Sequence, residues 1–359
     1  MATDTADLVN SADSHVLEPI DLWQRELPEA MRDRGPVTEV VDEREVVYID
    51  GKVVRRDPVA FMEAIRPPGA HDPSMRLADL DEQGIWAELI FPSRALWVHL
   101  SDDPALQLAC SQIYNDWLHD EIMSRSPRFI GAAMLPTLDT ADAVAELQRN
   151  VARGFQTVFL PTSTPTGRDY NSEDWLPLWA AAEEAGISLS FHIGTGADPK
   201  VYRGLGGAIT NHVASFYPAQ TTLCHLVASG VLDAHPNLHV SFVESGGSWL
   251  PAVMERMDEA QRQYGTWFLR PKLPMLPSEY VKRQVHVSFQ HGRAALAIKD
   301  ICGVDALMWG SDYPHLEGTY PNTRKVLDGI FEGVSDDVRQ AITGGNFAKL
   351  FTVPQPQAA

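Results

Sequence analysis

Apolar residues along this chain gather in short runs, each closed by polar residues. The runs are Leu8–Ala12, Ile85–Phe91, Phe129–Leu135, Phe155–Leu160, Ile187–Phe191, Leu238–Val243, Val285–Phe289 and Ala306–Trp309. Their brevity and their Val, Ile and Phe content predict strands buried on both faces, as in a parallel sheet. Between them lie stretches with helical spacing, including Pro104–Ser124, Thr140–Arg153, Asp174–Ala185, Ala214–Ala234 and Trp249–Gln263. Eight strands alternating with helices predict an α/β fold, a (β/α)8 TIM barrel. A doubly wound open sheet is the alternative, and it fits less well. The count reaches eight, and no glycine-rich dinucleotide fingerprint follows the first run.

Two stretches break this rhythm. Residues 25–75 contain Val46-Val-Tyr-Ile-Asp50-Gly51-Lys-Val-Val54, where Asp-Gly between apolar runs predicts a β-hairpin insertion after the first strand. Residues 194–207 are rich in glycine and follow the fifth run. Their G-x-G spacing lacks a Walker Lys-Ser/Thr, so a substrate lid is expected there, not a phosphate loop. The tail, 352–359, is expected to fray.

Length and composition narrow the class without naming an activity. The 359 residues allow two or three domains or one decorated barrel, and the eight runs favour one barrel domain over 1–359. With 29 Lys+Arg against 48 Asp+Glu, the formal charge is −19, which argues against nucleic-acid and anionic-membrane partners. Cys110, Cys224 and Cys302 stand alone, so a disulfide framework or a structural Cys–zinc site is not expected. An acidic opening, Met1 to Asp7, and the lack of any long apolar run predict a cytoplasmic protein.

In a barrel of this kind the chemistry collects at the C-terminal ends of the strands. There the chain offers Asp13, His15 and Glu18 after the first run, His192 after the fifth and Glu244 after the sixth. His291 follows the seventh, and Asp312 the eighth. Positions i and i+2 of a strand face the same way, so Asp13 and His15 can reach one ion. Joined by His192 and Asp312 they make an N/O set suited to Zn²⁺, Mn²⁺ or Fe²⁺. Each residue also has a plainer role open to it. His192 would be a satisfied core histidine, Asp312 the turn residue of Ser311-Asp-Tyr-Pro314, and Glu18 a first-turn helix carboxylate. His225 lies in a helical stretch and would be either a ligand or a packed histidine. Four converging carboxylates would repel one another; one divalent ion neutralises half of that charge and two neutralise all of it. The expectation is therefore one or two divalent ions per chain, with a dinuclear site favoured. Arg94, His99, Gln290 and His315 are candidate substrate contacts, Arg94 for a carboxylate. Trp97, Trp249 and Trp309 read as core or pocket wall. No Gly-x-Ser-x-Gly elbow is present, so covalent catalysis is disfavoured.

These residues also carry a resemblance. Asp13-Ser-His-Val-Leu-Glu-Pro19, Phe191-His-Ile-Gly194, Phe242-Val-Glu-Ser-Gly-Gly-Ser-Trp-Leu-Pro251 and Trp309-Gly-Ser-Asp-Tyr-Pro-His315 resemble motifs of the amidohydrolase-related family. That branch of the amidohydrolase superfamily includes aminocarboxymuconate-semialdehyde decarboxylase. The resemblance implies a TIM barrel with a catalytic metal at its mouth, hydrolase or non-oxidative decarboxylase activity, and a dimer or larger assembly, homo- or hetero-oligomeric. It makes His15, His192 and Asp312 metal-site positions. Two departures stand out: Asp13-x-His15 where many members carry His-x-His, and Glu244 where many place an acid/base histidine.

The leading expectation is hydrolysis of a small polar or carboxylated molecule by metal-activated water, with Asp312 or Glu244 taking the proton and His291 nearby. One alternative is a non-oxidative decarboxylase of an aromatic or enol acid. Another is an O₂-activating dinuclear Fe or Mn hydroxylase, which the carboxylate count favours. An inert subunit of a hetero-oligomer is the non-enzyme alternative.

Overall fold

The computed structural model describes residues 8–164, 168–196, 201–268, 270–354 and 356. Its strands are β1 (Asn10–Val16), β2 (Val37–Val41), β3 (Arg44–Ile49), β4 (Lys52–Pro58), β5 (Ala87–Pro92), β6 (Phe129–Met134), β7 (Thr157–Pro161), β8 (Ser188–His192), β9 (Val240–Val243), β10 (Val285–Phe289) and β11 (Leu307–Trp309). Strands β1 and β5–β11 form one parallel eight-stranded sheet in chain order. Every residue in these eight strands is buried, as runs covered on both faces require.

The sheet rolls up where the segment after β11 meets β1. Asp312 N–H donates to Asp13 O at 2.8 Å, His15 N–H donates to Tyr313 O at 2.6 Å, and Ser14 bridges Tyr313 in parallel register. The hydroxyls of Ser11, Ser14 and Ser311 lie 2.9–3.1 Å apart beneath this seam, and Ser311 N–H donates to Ser11 Oγ at 2.8 Å. Gly310 permits the approach. A Cβ there would lie 2.5 Å from Asp13 Cβ, well inside contact distance.

Helix starts follow local chemistry. Asp72, Asp103 and Asp139 each accept two backbone N–H bonds at the first turn of Pro73–Gln83, Pro104–Trp117 and Thr140–Val151. Two of these helices also open with proline, whose missing N–H costs nothing there. The expected Ala214–Ala234 helix is broken into Gly207–Ala214, Phe216–Ala228 and Val231–Ala234, with Gly230 at φ +84° before the last.

The insertion is larger than one hairpin. β3 and β4 pair around Asp50-Gly51, whose φ values of 53° and 71° suit a type I′ turn. β2 pairs antiparallel with β3 through Asp42-Glu43, at φ 50° and 57°. That second turn has the same shape without glycine, which hid it from the sequence reading. No described helix is long and apolar enough to cross a membrane. The acidic opening 1–7, residues 197–200 of the expected lid, and positions 355 and 357–359 of the tail lie outside the described residues. The start of that tail is tied down: Thr352 N–H donates to Gln156 Oε1 and Trp86 Nε1–H to Pro354 O.

One charged residue lies inside an apolar strand. Glu88 on β5 is fully buried and pairs with the equally buried Arg76, which also donates to His15 O at 2.8 Å and lies over the Tyr313 ring at 4.8 Å. Arg76 thus joins β1, β5 and the closing segment. Removing one partner of a buried pair leaves an uncompensated charge. Arg76→Met is expected to cost about 3–5 kcal/mol. The double variant Arg76→Met/Glu88→Met should recover a large part of that loss, as thermal unfolding of the variants would read.

Candidate metal centre at the barrel mouth

The seam between β1 and the post-β11 segment delivers Asp13, His15 and Asp312 to one point, and β8 and β9 add His192 and Glu244. Asp13 and His15 lie in the C-terminal half of β1, and their i, i+2 spacing puts both on the inner face. His15 Nδ1 lies 2.7 Å from Pro92 O, and His192 Nδ1 lies 2.9 Å from Ile193 O. With Nδ1–H donated to those carbonyls, each ring turns its Nε2 lone pair toward the other, 3.0 Å away. Asp13 Oδ1 is 3.7 Å from His15 Nε2 and 3.6 Å from His192 Nε2. Asp312 Oδ1 is 3.6 Å from His15 Nε2, and Glu244 Oε2 is 3.6 Å from His192 Nε2. Four ligands at about 2.1 Å around a tetrahedral ion stand roughly 3.4 Å apart. The spacing fits.

The electrostatics make the same demand. Ligand atoms of Asp13, Glu244 and Asp312 all lie within 4.8 Å of one another. Among the described residues, Asp13 Oδ1 and both Asp312 oxygens are buried without a hydrogen-bond donor. His315 Nδ1 comes to 2.9 Å of Asp312 Oδ1 without hydrogen-bond alignment, and its ring stacks on His15 at 4.2 Å. Burial, then the neighbouring Asp312 charge, pushes the Glu244 carboxyl well above its usual range; burial and Asp13 do the same to Asp312. Burial, with His315 and His192 close by, holds His15 well below the usual imidazole range, so it stays neutral and ligand-ready. Burial alone would lower His192, but the contact with Asp13 and the charge of Glu244 outweigh it and raise that imidazole. Glu244 and Asp312 also adopt left-handed backbone, φ 60° and 54°, a strain of roughly 1–3 kcal/mol each that turns their carboxyls inward.

Not every candidate joins this cluster. Glu18 accepts backbone N–H bonds from Ser93, Arg94 and Ala95 at 2.8–3.2 Å, so its carboxylate caps the 3-10 helix Ala95–Leu100. Arg94 is buried, donates to Glu18 O and lines a separate groove to which none of Asp13, His15, His192, Glu244 and Asp312 contributes. His225, on Phe216–Ala228, faces a different cavity. His99 is buried with Nε2 2.9 Å from Leu135 O, and its ring is separated from His192 by Phe159; burial lowers it to about 4. Gln290 does reach the cluster, donating to Asp13 Oδ2 at 3.0 Å. His291 contacts Glu317 O and Gly318 O and shares with Glu244 and Gln290 a cavity of about 620 Å³. The sequence reading missed Arg76 and Glu88; a glutamate inside the apolar run Ile85–Phe91 was the available signal.

Metal binding here is expected to release protons, because carboxyls raised by burial must ionise to ligate. Calorimetric Mn²⁺ or Zn²⁺ titrations in buffers of different ionisation heat should show that release, with affinity falling as pH falls. Gly310→Ala, which pushes on Asp13, should weaken binding about 10- to 100-fold, in the range seen when supports of metal ligands are disturbed.

A family model described as amidohydrolase matches residues 23–353. The 2-amino-3-carboxymuconate-6-semialdehyde decarboxylase of Dictyostelium discoideum is 25% identical over 294 residues, covering 77% of this chain and 75% of its own. An amidohydrolase from Mycobacterium avium subsp. paratuberculosis superposes with a TM-score of 0.81 at 21% identity, over 96% of this chain and 98% of that one. A dihydroxybenzoic acid decarboxylase from Polaromonas, with bound manganese and the inhibitor 2-nitroresorcinol, gives 0.65 at 17% identity over 96% of each chain. Hydrolysis led the sequence reading, whereas two of these relatives are named as decarboxylases. The chain belongs to the amidohydrolase family, in the branch that includes 2-amino-3-carboxymuconate-6-semialdehyde decarboxylase.

Proposed function

We propose that the protein is a metal-dependent, non-oxidative decarboxylase of a hydroxy-aromatic or enol carboxylic acid. The observation that carries this reading is the placement of Glu244. Its side chain is 16% exposed, against 0–2% for Asp13, His15, His192 and Asp312, and it lines the 620 Å³ cavity at the mouth. A proton donor therefore stands between a ligand set and a space for substrate. The names of the decarboxylase relatives support the same chemistry.

Asp13, His15, His192 and Asp312 would hold the ion, with Gln290 steadying Asp13. A divalent ion there supplies a Lewis acid that neutralises carboxylate charge and polarises substrate oxygens. Glu244 passes its proton to the carbon bearing the substrate carboxylate. The C–C bond then breaks, its electron pair restores the aromatic or enol system, and CO₂ leaves. Glu244 regains a proton from solvent through the cavity. Phe91, its ring 5.0 Å from His192, keeps water from the inner side of the cluster.

Hydrolysis is the second reading, favoured by a carboxylate at Glu244, which can take a proton from water as readily as give one to carbon. A panel of carboxyl-¹³C ortho-hydroxybenzoates and enol acids, with lactones and amides of the same acids, separates the two in D₂O. Decarboxylation yields ¹³CO₂ and one carbon-bound deuterium, while hydrolysis opens the lactone or amide, adds one water across the broken bond and releases no ¹³CO₂. Oxygen uptake would instead indicate the hydroxylase alternative. Glu244→Gln is expected to cut turnover about 100- to 10,000-fold with at least one metal still bound; unchanged turnover would remove Glu244 from the mechanism.

A further inference from the structure

A second cavity, of about 560 Å³, opens beside the metal centre and has no part in the chemistry above. It begins at Gly194 and Thr195, directly beyond His192 and Ile193, whereas Ile193 itself lines the 620 Å³ cavity. Residues 211–218 divide the two: His212 and Phe216 face the Glu244 side, while Asn211, Ser215 and Tyr217 face the second chamber. Its volume falls within the range of small-molecule sites.

The lining has a definite chemistry. Trp97, the buried Tyr170, Tyr217 and Val54 supply ring faces and hydrocarbon. Several polar groups on the wall are already engaged within the protein, and the Asp169 carboxylate and the His225 imidazole also line it. Tyr170 O–H donates to Pro161 O at 2.8 Å, Thr222 Oγ1 to Thr162 O at 2.8 Å, Ser215 Oγ to His212 O at 2.6 Å, and Thr195 Oγ1 to His192 O. No lysine or arginine is among the described residues that line it. The insertion takes part: β4 contributes Val54, and Arg55 lies 5.5 Å from the Trp97 ring, a cation–π contact that holds that wall.

We propose that this chamber binds an uncharged aromatic or alicyclic arm of the substrate, so that the acid turned over extends well beyond a single ring. The inference rests on the reading that the adjoining Glu244 cavity is where the carboxylated end reacts. The reacting head lies against Glu244, and the arm extends past residues 211–218 into the chamber, against Trp97 and Tyr217.

The arm alone provides the test, because its binding needs no turnover. Metal-loaded enzyme is titrated by calorimetry with 2-phenylethanol, which has the ring of an arm and neither a phenol nor a carboxylate. Saturable one-site binding is expected, weakened about tenfold or more by Ala214→Trp, which fills the chamber, and by Trp97→Ala, which removes its wall. Glu244→Gln should leave it within about twofold. Melting curves show whether each variant is folded, and Trp97→Phe should keep most of the affinity. Absence of saturable binding to the unaltered enzyme, or equal binding to folded Ala214→Trp and Trp97→Ala proteins, overturns the proposal. Binding with this variant pattern, in an enzyme that releases CO₂ from no acid, supports the arm site and counts against decarboxylation alone.

Discussion

Three carboxylates, Asp13, Glu244 and Asp312, meet inside the barrel mouth, and among the described residues their ion-pair contacts are to histidines and none is to a lysine or arginine. Such a group is unstable as bare anions in low dielectric; it must hold protons or a cation. The barrel seam forces the meeting. Asp312 donates its backbone N–H to Asp13 O, so the interaction that closes the sheet also sets two candidate ligand carboxylates side by side. Gly310 allows the strands to come that close, and Arg76, neutralised by Glu88, holds the backbone of His15 from outside the cluster. Stability of the seam and affinity for a cation are therefore linked properties.

Much of this was legible because strands in a barrel end at one face. The eight apolar runs located the eight strands to within a few residues, and the polar residues that close them converge as expected. The Asp-Gly turn likewise announced its hairpin. What stayed hidden depended on contacts with no periodic signature. Glu18 lies near the end of a strand, yet three backbone N–H groups of a 3-10 helix claim its carboxylate. His225 lies on a helix whose exposed register only tertiary packing decides. The Asp42-Glu43 turn carries no glycine to mark it. His99 and Arg94 follow a barrel strand, but the short helix there turns His99 against Leu135 O, and Arg94 just before it is held by Glu18 O.

The mouth is divided by function as well as by space. The side chains of Asp13, His15, His192 and Asp312 are sealed, Glu244 opens onto one cavity, and the aromatic chamber lies beyond residues 211–218. The insertion takes part in this arrangement, since Val54 of β4 lines the chamber and Arg55 lies over the Trp97 ring. Barrel enzymes vary their chemistry through such loops while the strand-end groups persist. In the proposed decarboxylation Glu244 would give a proton to carbon as the C–CO₂ bond breaks, whereas in hydrolysis it would take one from a water that adds across an acyl bond.

The central claim is that the strand-end cluster is a metal centre. Anomalous diffraction from crystals grown with Mn²⁺ tests it most directly. The account predicts a peak about 2.0–2.3 Å from His15 Nε2, His192 Nε2 and at least one oxygen of Asp13 or Asp312. A protein that crystallises with these side chains in place and shows no peak among them, or a peak only at surface carboxylates, would contradict it.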